Sequence, residues 1–344
     1  MTSDPAPTQP ITPVPVPESA PRAVEPSGFR KVLVGPNGIR AGWRLALFLA
    51  LCLILLLLVL SGMGLIPGLA MMAKQGRQAK VMTPVFSIVF ESVPLAIALL
   101  AAGIMSRIER RPFNAYGMGW AGAFGRTFWQ GVVWGVSFEA AEMLAIYEFG
   151  GFKFGPLALK GTELVKYAIL WAIAFAVVGM FEEFLFRGYA QFTLASGVGF
   201  WPAAVVLSAA FGALHLSNPG EGWVGALSVF VFGMFACFTL RRTGSLWFAV
   251  GLHAAGDYAE TFIFSVPDSG VLATGHLLNS SLYGPRWLAG GSIGPEGSLM
   301  CFVMFAVAFP AFHWAYPAAR SVPTGSRPIR PEAERRSGNR LQGS

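Results

Sequence analysis

The sequence GMFEEFLFRGYAQ, residues 179–191, places two adjacent carboxylates and an arginine at the end of a long apolar run. The run before it, YAILWAIAFAVVGM, has the composition of a membrane-spanning helix. Charged side chains are expensive inside hydrocarbon, and those that occur there usually serve a function. Glu182, Glu183 and Arg187 are therefore the first candidate functional residues of this chain.

The composition of the whole chain is that of a membrane protein. Of its 344 residues, 54% are hydrophobic and 12% are charged, and the mean hydropathy is +0.56; a soluble domain has about 25% charged residues. The net charge of +7 would suggest a nucleic-acid partner in a soluble protein, but here the basic residues lie in loops and tails. We therefore expect a lipid bilayer, and no nucleic acid, as a partner. The three cysteines lie in apolar runs and predict neither a disulfide framework nor a cysteine-rich metal site.

Apolar segments predict an all-α fold, a polytopic transmembrane bundle of about eight spanning helices. The segments are 45–63, 85–105, 127–147, 164–186, 200–214, 223–240, 246–264 and 299–316. Most Lys and Arg residues fall on one side of such a bundle if both termini are cytoplasmic. The sequence therefore predicts that orientation, in a bacterial cytoplasmic membrane.

The ends of the chain differ from its middle in composition. Residues 1–42 begin with a proline-rich stretch and predict a disordered cytoplasmic tail. Residues 43–318 form the predicted transmembrane domain. The basic, polar residues 319–344 predict a second disordered tail.

Two further segments put polar side chains into apolar surroundings. Segment 200–214 leads into FGALHL, which carries Phe211 and His215, and segment 246–264 contains GLHAAGDY, which carries His253 and Asp257. Residues four apart share a face of a helix, so we expect His253 and Asp257 to lie side by side.

The same spacing sorts the charged residues of the opening motif. Glu183 and Arg187 are four apart and are expected to form an ion pair. Glu182 is turned about 100° from Glu183 and is free to point into the bundle. Measured along the helices from the turns that join them, these residues reach depths compatible with one cavity.

Two kinds of chemistry are open to such a cluster. In the first, Glu182 and His215 activate a water that attacks a peptide carbonyl, while His253 and Asp257 stabilise the oxyanion. In the second, a metal ion, with zinc as the candidate, is bound by His215, His253 and a carboxylate such as Glu182, and another glutamate is the base. The sequence has no His-Glu-x-x-His signature and does not choose between them.

The three motifs, in this order, resemble those of the CPBP family of intramembrane proteases, which includes CAAX prenyl endopeptidases and bacteriocin-processing enzymes. EEFLFR matches Glu-Glu-x-x-x-Arg, FGALH matches Phe-x-x-x-His, and HAAGD matches His-x-x-x-Asn/Asp. The resemblance covers a core of about residues 85–264. It implies a glutamate-dependent endopeptidase that cuts a membrane-associated, prenylated or leader-type peptide or membrane-protein substrate.

The resemblance also implies roles for single residues. Catalytic roles fall on Glu182, His215, His253 and Asp257. Supporting roles fall on Glu183, Arg187 and Phe211. In the eukaryotic CAAX proteases the last motif typically ends in asparagine, which weakens a direct oxyanion role for the aspartate at 257.

Two other classes of protein would also keep buried polar residues. The runner-up is a non-catalytic membrane scaffold or bacteriocin-immunity-type protein that uses the cluster for recognition or folding. An ion-coupled transporter would favour broken helices and inverted repeats, and the sequence shows no such repeat. Glu139 and Glu142, three apart in segment 127–147, are second-rank candidates for lining the cavity.

Overall fold

The computed structural model describes residues 32–35, 38–68, 71, 81–117, 119–218 and 220–317. Helices dominate these residues. The α-helices are α1 (Ala41–Gly64), α2 (Pro84–Ile108), α3 (Arg126–Glu148), α4 (Gly161–Glu183), α5 (Gln191–Val198), α6 (Phe200–His215), α7 (Trp223–Thr243), α8 (Leu246–Tyr258), α9 (Arg286–Ala289) and α10 (Leu299–Ala315). Two π-helical segments, Phe184–Ala190 and Ala259–Phe264, continue α4 and α8.

Four stretches of the described residues are long and apolar enough to cross a membrane: α1, α2, α7 and the continuous run Gly161–Val198. Each predicted segment coincides with a helix, but the prediction of eight spans is not confirmed. Helices α6 and α10 have only 16 and 17 residues, fewer than the ~20 that a straight span needs. Helix α1 exposes leucines along most of its length, as a lipid-facing helix does.

Capping residues determine where two of the helices begin. Thr83 precedes α2 and accepts a hydrogen bond from the amide of Phe86 (3.3 Å), with proline at the first helical position. Ser298 precedes α10 and accepts from the amide of Cys301 (3.1 Å). Both arrangements satisfy amides that have no partner within the helix.

The strands are short and lie in the connections between helices. The antiparallel pair β1 (Val34–Gly35) and β2 (Gly38–Ile39) lies in the predicted amino-terminal tail, whose residues 1–31 are outside the described residues. The other strands form the parallel pair β3 (Val81–Met82) with β5 (Leu272–Ala273) and the antiparallel pair β4 (Phe152–Lys153) with β6 (Ser281–Leu282). The predicted tail at 319–344 is also outside the described residues.

Helix α8 is the central helix and is buried along most of its length. Glycines bring its backbone against α3: a Cβ at Gly135 would lie 2.3 Å from the carbonyl oxygen of Leu252, and one at Gly251 would lie 2.2 Å from that of Phe128. Small residues permit such close approach of membrane helices. The position of the helix that carries His253 is therefore determined by backbone contact.

The helix that carries the opening motif continues beyond its apolar segment. That segment ends at residue 186, and the π-helical segment carries the chain on to Val198. Gly188 has non-helical φ/ψ of −85° and −111°, so the chain is kinked there between two helical stretches. π-Helical turns of this kind occur frequently at functional sites.

Candidate active site

The side chain of Glu183 joins two helices at the centre of the site. It is fully buried at the end of α4, and its Oε1 accepts hydrogen bonds from Nη1 of Arg187 and from Nδ1 of His253, both at 3.0 Å. The ion pair with Arg187 is the one that the four-residue spacing predicts. The contact with His253 adds a link between α4 and α8.

Arg187 lies in the π-helical segment, and only 1% of its side chain is exposed. Its guanidinium carbon lies 4.4 Å from the centroid of the Phe211 ring, within the range of a cation–π interaction. Gly233 of α7 makes room for it, because a Cβ at this glycine would lie 2.5 Å from Nη2 of Arg187. The arginine is thus enclosed by three helices and a carboxylate.

His253 faces carboxylates on both sides of its ring. Nε2 lies 3.5 Å from Oε2 of Glu182 and 3.5 Å from Oδ2 of Asp257. Because Nδ1 donates to Glu183, a neutral ring would present an unprotonated nitrogen to two carboxylates. We therefore expect one proton to be shared between Nε2 and these two carboxyl groups.

His215 is the last residue of α6 and is half-buried. Its Nδ1 donates to the carbonyl oxygen of Phe211 at 2.9 Å, so the neutral ring carries its lone pair on Nε2. The ring of Phe211 packs against both imidazoles, with centroid distances of 4.6 Å to His215 and 6.3 Å to His253. Phe211 therefore connects the two histidines.

The structure brings five of the seven sequence-predicted site residues into direct contact, and it places His215 next to this group only through the ring of Phe211. Direct contacts join Glu182, Glu183, Arg187, His253 and Asp257. Sequence reasoning missed the bond between His253 and Glu183, and treated the glutamate chiefly as the partner of Arg187. These two residues are 70 positions apart and on different helices, so helix spacing carries no signal for their contact.

The candidate zinc ligands do not converge as a metal site requires. Among the described residues, three ligand atoms within 4.8 Å of one another are found only for Glu260, Asp268 and Glu296. The set of Glu182, His215 and His253 is not such a group. The residues present therefore do not fit a zinc ion held by these three side chains.

The second-rank glutamates of α3 are both buried. Oε1 of Glu142 accepts a hydrogen bond from the hydroxyl of Ser298 at 3.2 Å. Oε1 of Glu139 has no hydrogen-bond partner among the described residues. Glu139 lines a cavity of about 70 Å³ together with His253 and Asp257. It thus adjoins the site without contacting Glu182.

Two further acids lie in the loops beyond α8. Burial raises the pKa of Asp268 to about 6, although the hydroxyl of Thr261, which donates to its Oδ2, acts in the opposite direction. Burial, and then the nearby charge of Asp268, raises the pKa of Glu296 well above its usual range. Sequence reasoning did not single out either residue, because neither lies in an apolar segment.

Buried carboxylates and histidines among apolar helices mark a functional site in a membrane protein. Residues 164–259 match the family model of the type II CAAX prenyl endopeptidase Rce1-like proteins. The matched segment contains all three motifs, and the predicted resemblance to the CPBP family is confirmed. No curated protein matches the chain. Together with the apolar helices, the match indicates an integral membrane protein of a protease family.

Proposed function

We propose that this protein is an intramembrane endopeptidase that uses a glutamate-activated water to hydrolyse a peptide bond in a membrane-associated substrate. The observation that carries the proposal is the position of His253 Nε2, 3.5 Å from the carboxylates of both Glu182 and Asp257. Hydrolysis needs a base for the water and a donor for the oxyanion within hydrogen-bond reach of one another. These three side chains supply both.

Glu182 is the proposed general base. Its side chain is 20% exposed, so water can reach it, and it takes a proton from that water as the oxygen attacks the carbonyl carbon. His215 accepts the second hydrogen bond of the water through Nε2, since its Nδ1 is used by the carbonyl of Phe211. Glu182 then returns the proton to the leaving amine as the carbon–nitrogen bond breaks.

His253 is the proposed oxyanion donor. With a proton on Nε2, its ring donates to the carbonyl oxygen as negative charge develops there. An ionised Asp257 cannot donate, and it positions the ring instead, four residues along the same helix face. Glu183 holds the other ring nitrogen and is in turn held by Arg187. Glu183 and Arg187 are therefore positioning residues.

The proposed reaction contains no step through a metal. The support is geometric, because the ligand atoms of the candidate zinc set do not converge. In the proposed reaction, Glu182 therefore activates the water without a metal ion.

The remaining predictions belong to the same proposal. We place residues 43–318 in a bacterial cytoplasmic membrane with both termini, and their tails, on the cytoplasmic side. The substrate is a peptide or membrane protein of the prenylated or leader type. The positive-charge distribution and the family match support this placement.

Cleavage by matched variants tests the proposal. The substrates are a fluorogenic peptide that ends in a farnesylated CAAX sequence and the same peptide without the lipid, both in detergent micelles. General base catalysis is worth about 10²–10⁴ in rate, so Glu182→Gln should lose at least a hundredfold. Glu163→Gln, which changes an exposed ion-paired glutamate, should cleave as the unaltered protein does. Cleavage at the unaltered rate by folded Glu182→Gln would contradict the role of Glu182 as the base. No cleavage of either peptide by the folded, unaltered protein would favour a scaffold or immunity-type protein instead.

A further inference from the structure

Three carboxylates from three different segments converge beyond the end of α8. Glu260 belongs to the π-helical segment, Asp268 to the loop after it, and Glu296 to the turn before α10. One oxygen of each lies within 4.8 Å of the other two. The three residues are not neighbours in the sequence, and the fold brings their carboxylates together.

Hydrogen bonds hold two of these carboxylates in place. The hydroxyl of Thr261 donates to Oδ2 of Asp268 at 3.0 Å. The backbone amide and the hydroxyl of Ser269 both donate to Oε2 of Glu296 at 3.0 Å. Each bond orients a carboxylate through one oxygen and leaves its second oxygen for another partner.

A fourth carboxylate lies behind the cluster without a partner. Glu139 is 5% exposed, its Oε1 has no hydrogen-bond partner among the described residues, and it lines the same cavity as Glu260. The carboxylates of Glu139 and Glu260 repel each other when both are ionised. Oε1 of Glu260 is likewise buried and unpartnered among the described residues. Two residues that line one cavity thus each have a buried carboxylate oxygen without a hydrogen-bond partner among the described residues.

Basic side chains of the described residues form ion pairs with other acids. Arg44 and Arg111 pair with Glu109, Lys166 pairs with Glu163, and Arg187 pairs with Glu183. Burying several ionised carboxylates together without positive charge is strongly unfavourable. A bound cation would offset the repulsion between them.

The backbone of Gly294 packs closely against the cluster. A Cβ at Gly294 would lie 3.1 Å from Oε1 of Glu260 and 2.1 Å from the carbonyl oxygen of Pro267. A side chain at 294 would therefore clash with this carbonyl, and the φ of +109° also favours glycine. The neutral carbonyl oxygen of Pro267 and the carboxylate oxygen of Glu260 thus both lie beside Gly294.

We propose that Glu260, Asp268 and Glu296, with Glu139 behind them, bind one hard divalent cation, and that calcium is the ion the site fits best. Every available ligand is an oxygen, which selects hard cations over zinc or copper. Calcium accepts 6–8 oxygens in irregular geometry, whereas magnesium requires a near-octahedral shell and keeps several waters. A set supplied by a helix end and two loops suits calcium.

The cation has a defined place in the fold. It joins the π-helical end of α8 to the loop at Asp268 and to the turn before α10. Asp257 is three residues before Glu260 and lines the cavity that also contains His253. Calcium therefore stabilises the end of the helix that carries the proposed oxyanion group, and this role goes beyond the peptidase reaction itself.

Calcium alone, added to chelator-treated full-length protein in detergent, tests the site. Titration calorimetry should give one ion per chain. Thermal unfolding, followed by tryptophan fluorescence, should shift upward by about 4 °C at a hundredfold excess of calcium over Kd. Magnesium at matched ionic strength should give a smaller shift. A stripped protein that binds no calcium and shows no shift would overturn the proposal.

Isosteric variants locate the ion. Asp268→Asn and Glu296→Gln should weaken calcium binding at least tenfold, and Glu163→Gln should bind as the unaltered protein does. Because each change removes charge from a repulsive cluster, the stripped variants should unfold at or above the temperature of the stripped unaltered protein. Their loss of binding is thereby separated from loss of fold. Unweakened binding in both cluster variants would contradict the assignment.

One more variant separates this site from the proposed active site. Glu182→Gln should keep the full calcium shift, because Glu182 is not part of the cluster. Loss of the shift in that variant would place the ion at the active site and overturn the proposal. Calcium binding is measured without a substrate, so its result can be interpreted even if the protein proves not to be a peptidase.

Discussion

His253 donates its Nδ1 proton to Oε1 of Glu183, and the same oxygen accepts from Arg187, each bond being 3.0 Å long. One carboxylate oxygen thus couples a buried ion pair on α4 to the imidazole on α8. Glu182, the first glutamate of the motif, lies beside Nε2 of the same ring. The two adjacent glutamates therefore hold His253 from both sides, one as the proposed base and one as a positioning residue.

Glu183→Gln should destabilise the protein and reduce its activity. The amide cannot neutralise the buried guanidinium of Arg187, and an unpaired buried charge costs about 3–5 kcal/mol. We expect a lower melting temperature and a loss of activity of at least tenfold. Thermal unfolding and initial rates measure the two effects.

The double variant Glu183→Gln with Arg187→Met separates positioning from stability. Removing both charges should recover much of the lost melting temperature, because no unpaired charge stays buried. It should not recover activity, because His253 still lacks its carboxylate. Recovery of both together would show that Glu183 serves only the ion pair with Arg187.

Gly233→Ala should disturb the site without touching any proposed catalytic group. The new Cβ would lie 2.5 Å from Nη2 of Arg187 and 2.8 Å from the hydroxyl oxygen of Ser208, and such overpacking costs about 1–3 kcal/mol. The arginine must move, and Glu183 must move with it. Activity should fall about tenfold, together with the melting temperature.

Gly103→Ala is the matched control, since it makes the same change within α2 where nothing lies within 4 Å of the new Cβ. It should be neutral or slightly stabilising, because alanine is the better helix former. Equal effects from the two substitutions would show that the loss of activity in Gly233→Ala does not come from a clash with Arg187.

The motif residues on each helix were predictable, because helical periodicity acts over short distances. Spacing alone predicted the pair of Glu183 with Arg187 and the shared face of His253 and Asp257. Relative depth suggested that Glu182 could reach the histidines, and its carboxylate lies 3.5 Å from one of them. These inferences need only the 1.5 Å rise and the 100° turn of a helix.

Other features depend on packing that periodicity does not describe. The extension of the motif helix to Val198 depends on π-helical turns whose side chains are buried by neighbouring helices. The space for Arg187 depends on Gly233 of another helix. The acidic cluster joins Glu260 to Asp268 and Glu296 of loops, where no regular pattern relates sequence to position.

Asp257→Asn should keep at least about a tenth of the activity. Oδ2 of Asp257 lies 3.5 Å from Nε2 of His253, and the amide of asparagine can occupy the same position. The amide can also donate a hydrogen bond to an oxyanion. Asp257→Leu has a similar size but neither ability, and it should lose about a hundredfold. Rates with the same peptide compare the two. Equal losses would indicate that the negative charge itself takes part in the reaction.

Phe211→Leu should lower kcat more than its effect on stability explains. The ring packs against both imidazoles and lies 4.4 Å from the guanidinium carbon of Arg187, so its loss loosens three functional groups at once. We expect kcat to fall about tenfold while KM changes little, because the ring positions catalytic groups and does not hold the substrate. Phe312→Leu is the matched control: this phenylalanine is also buried, but it packs in the aromatic cluster of α10. Both variants should melt at lower temperature, as large-to-small core changes do, and only the first should lose kcat. A similar fall in kcat for both would mean that general loosening of the bundle, rather than the position of Phe211 between the two histidines, limits the reaction.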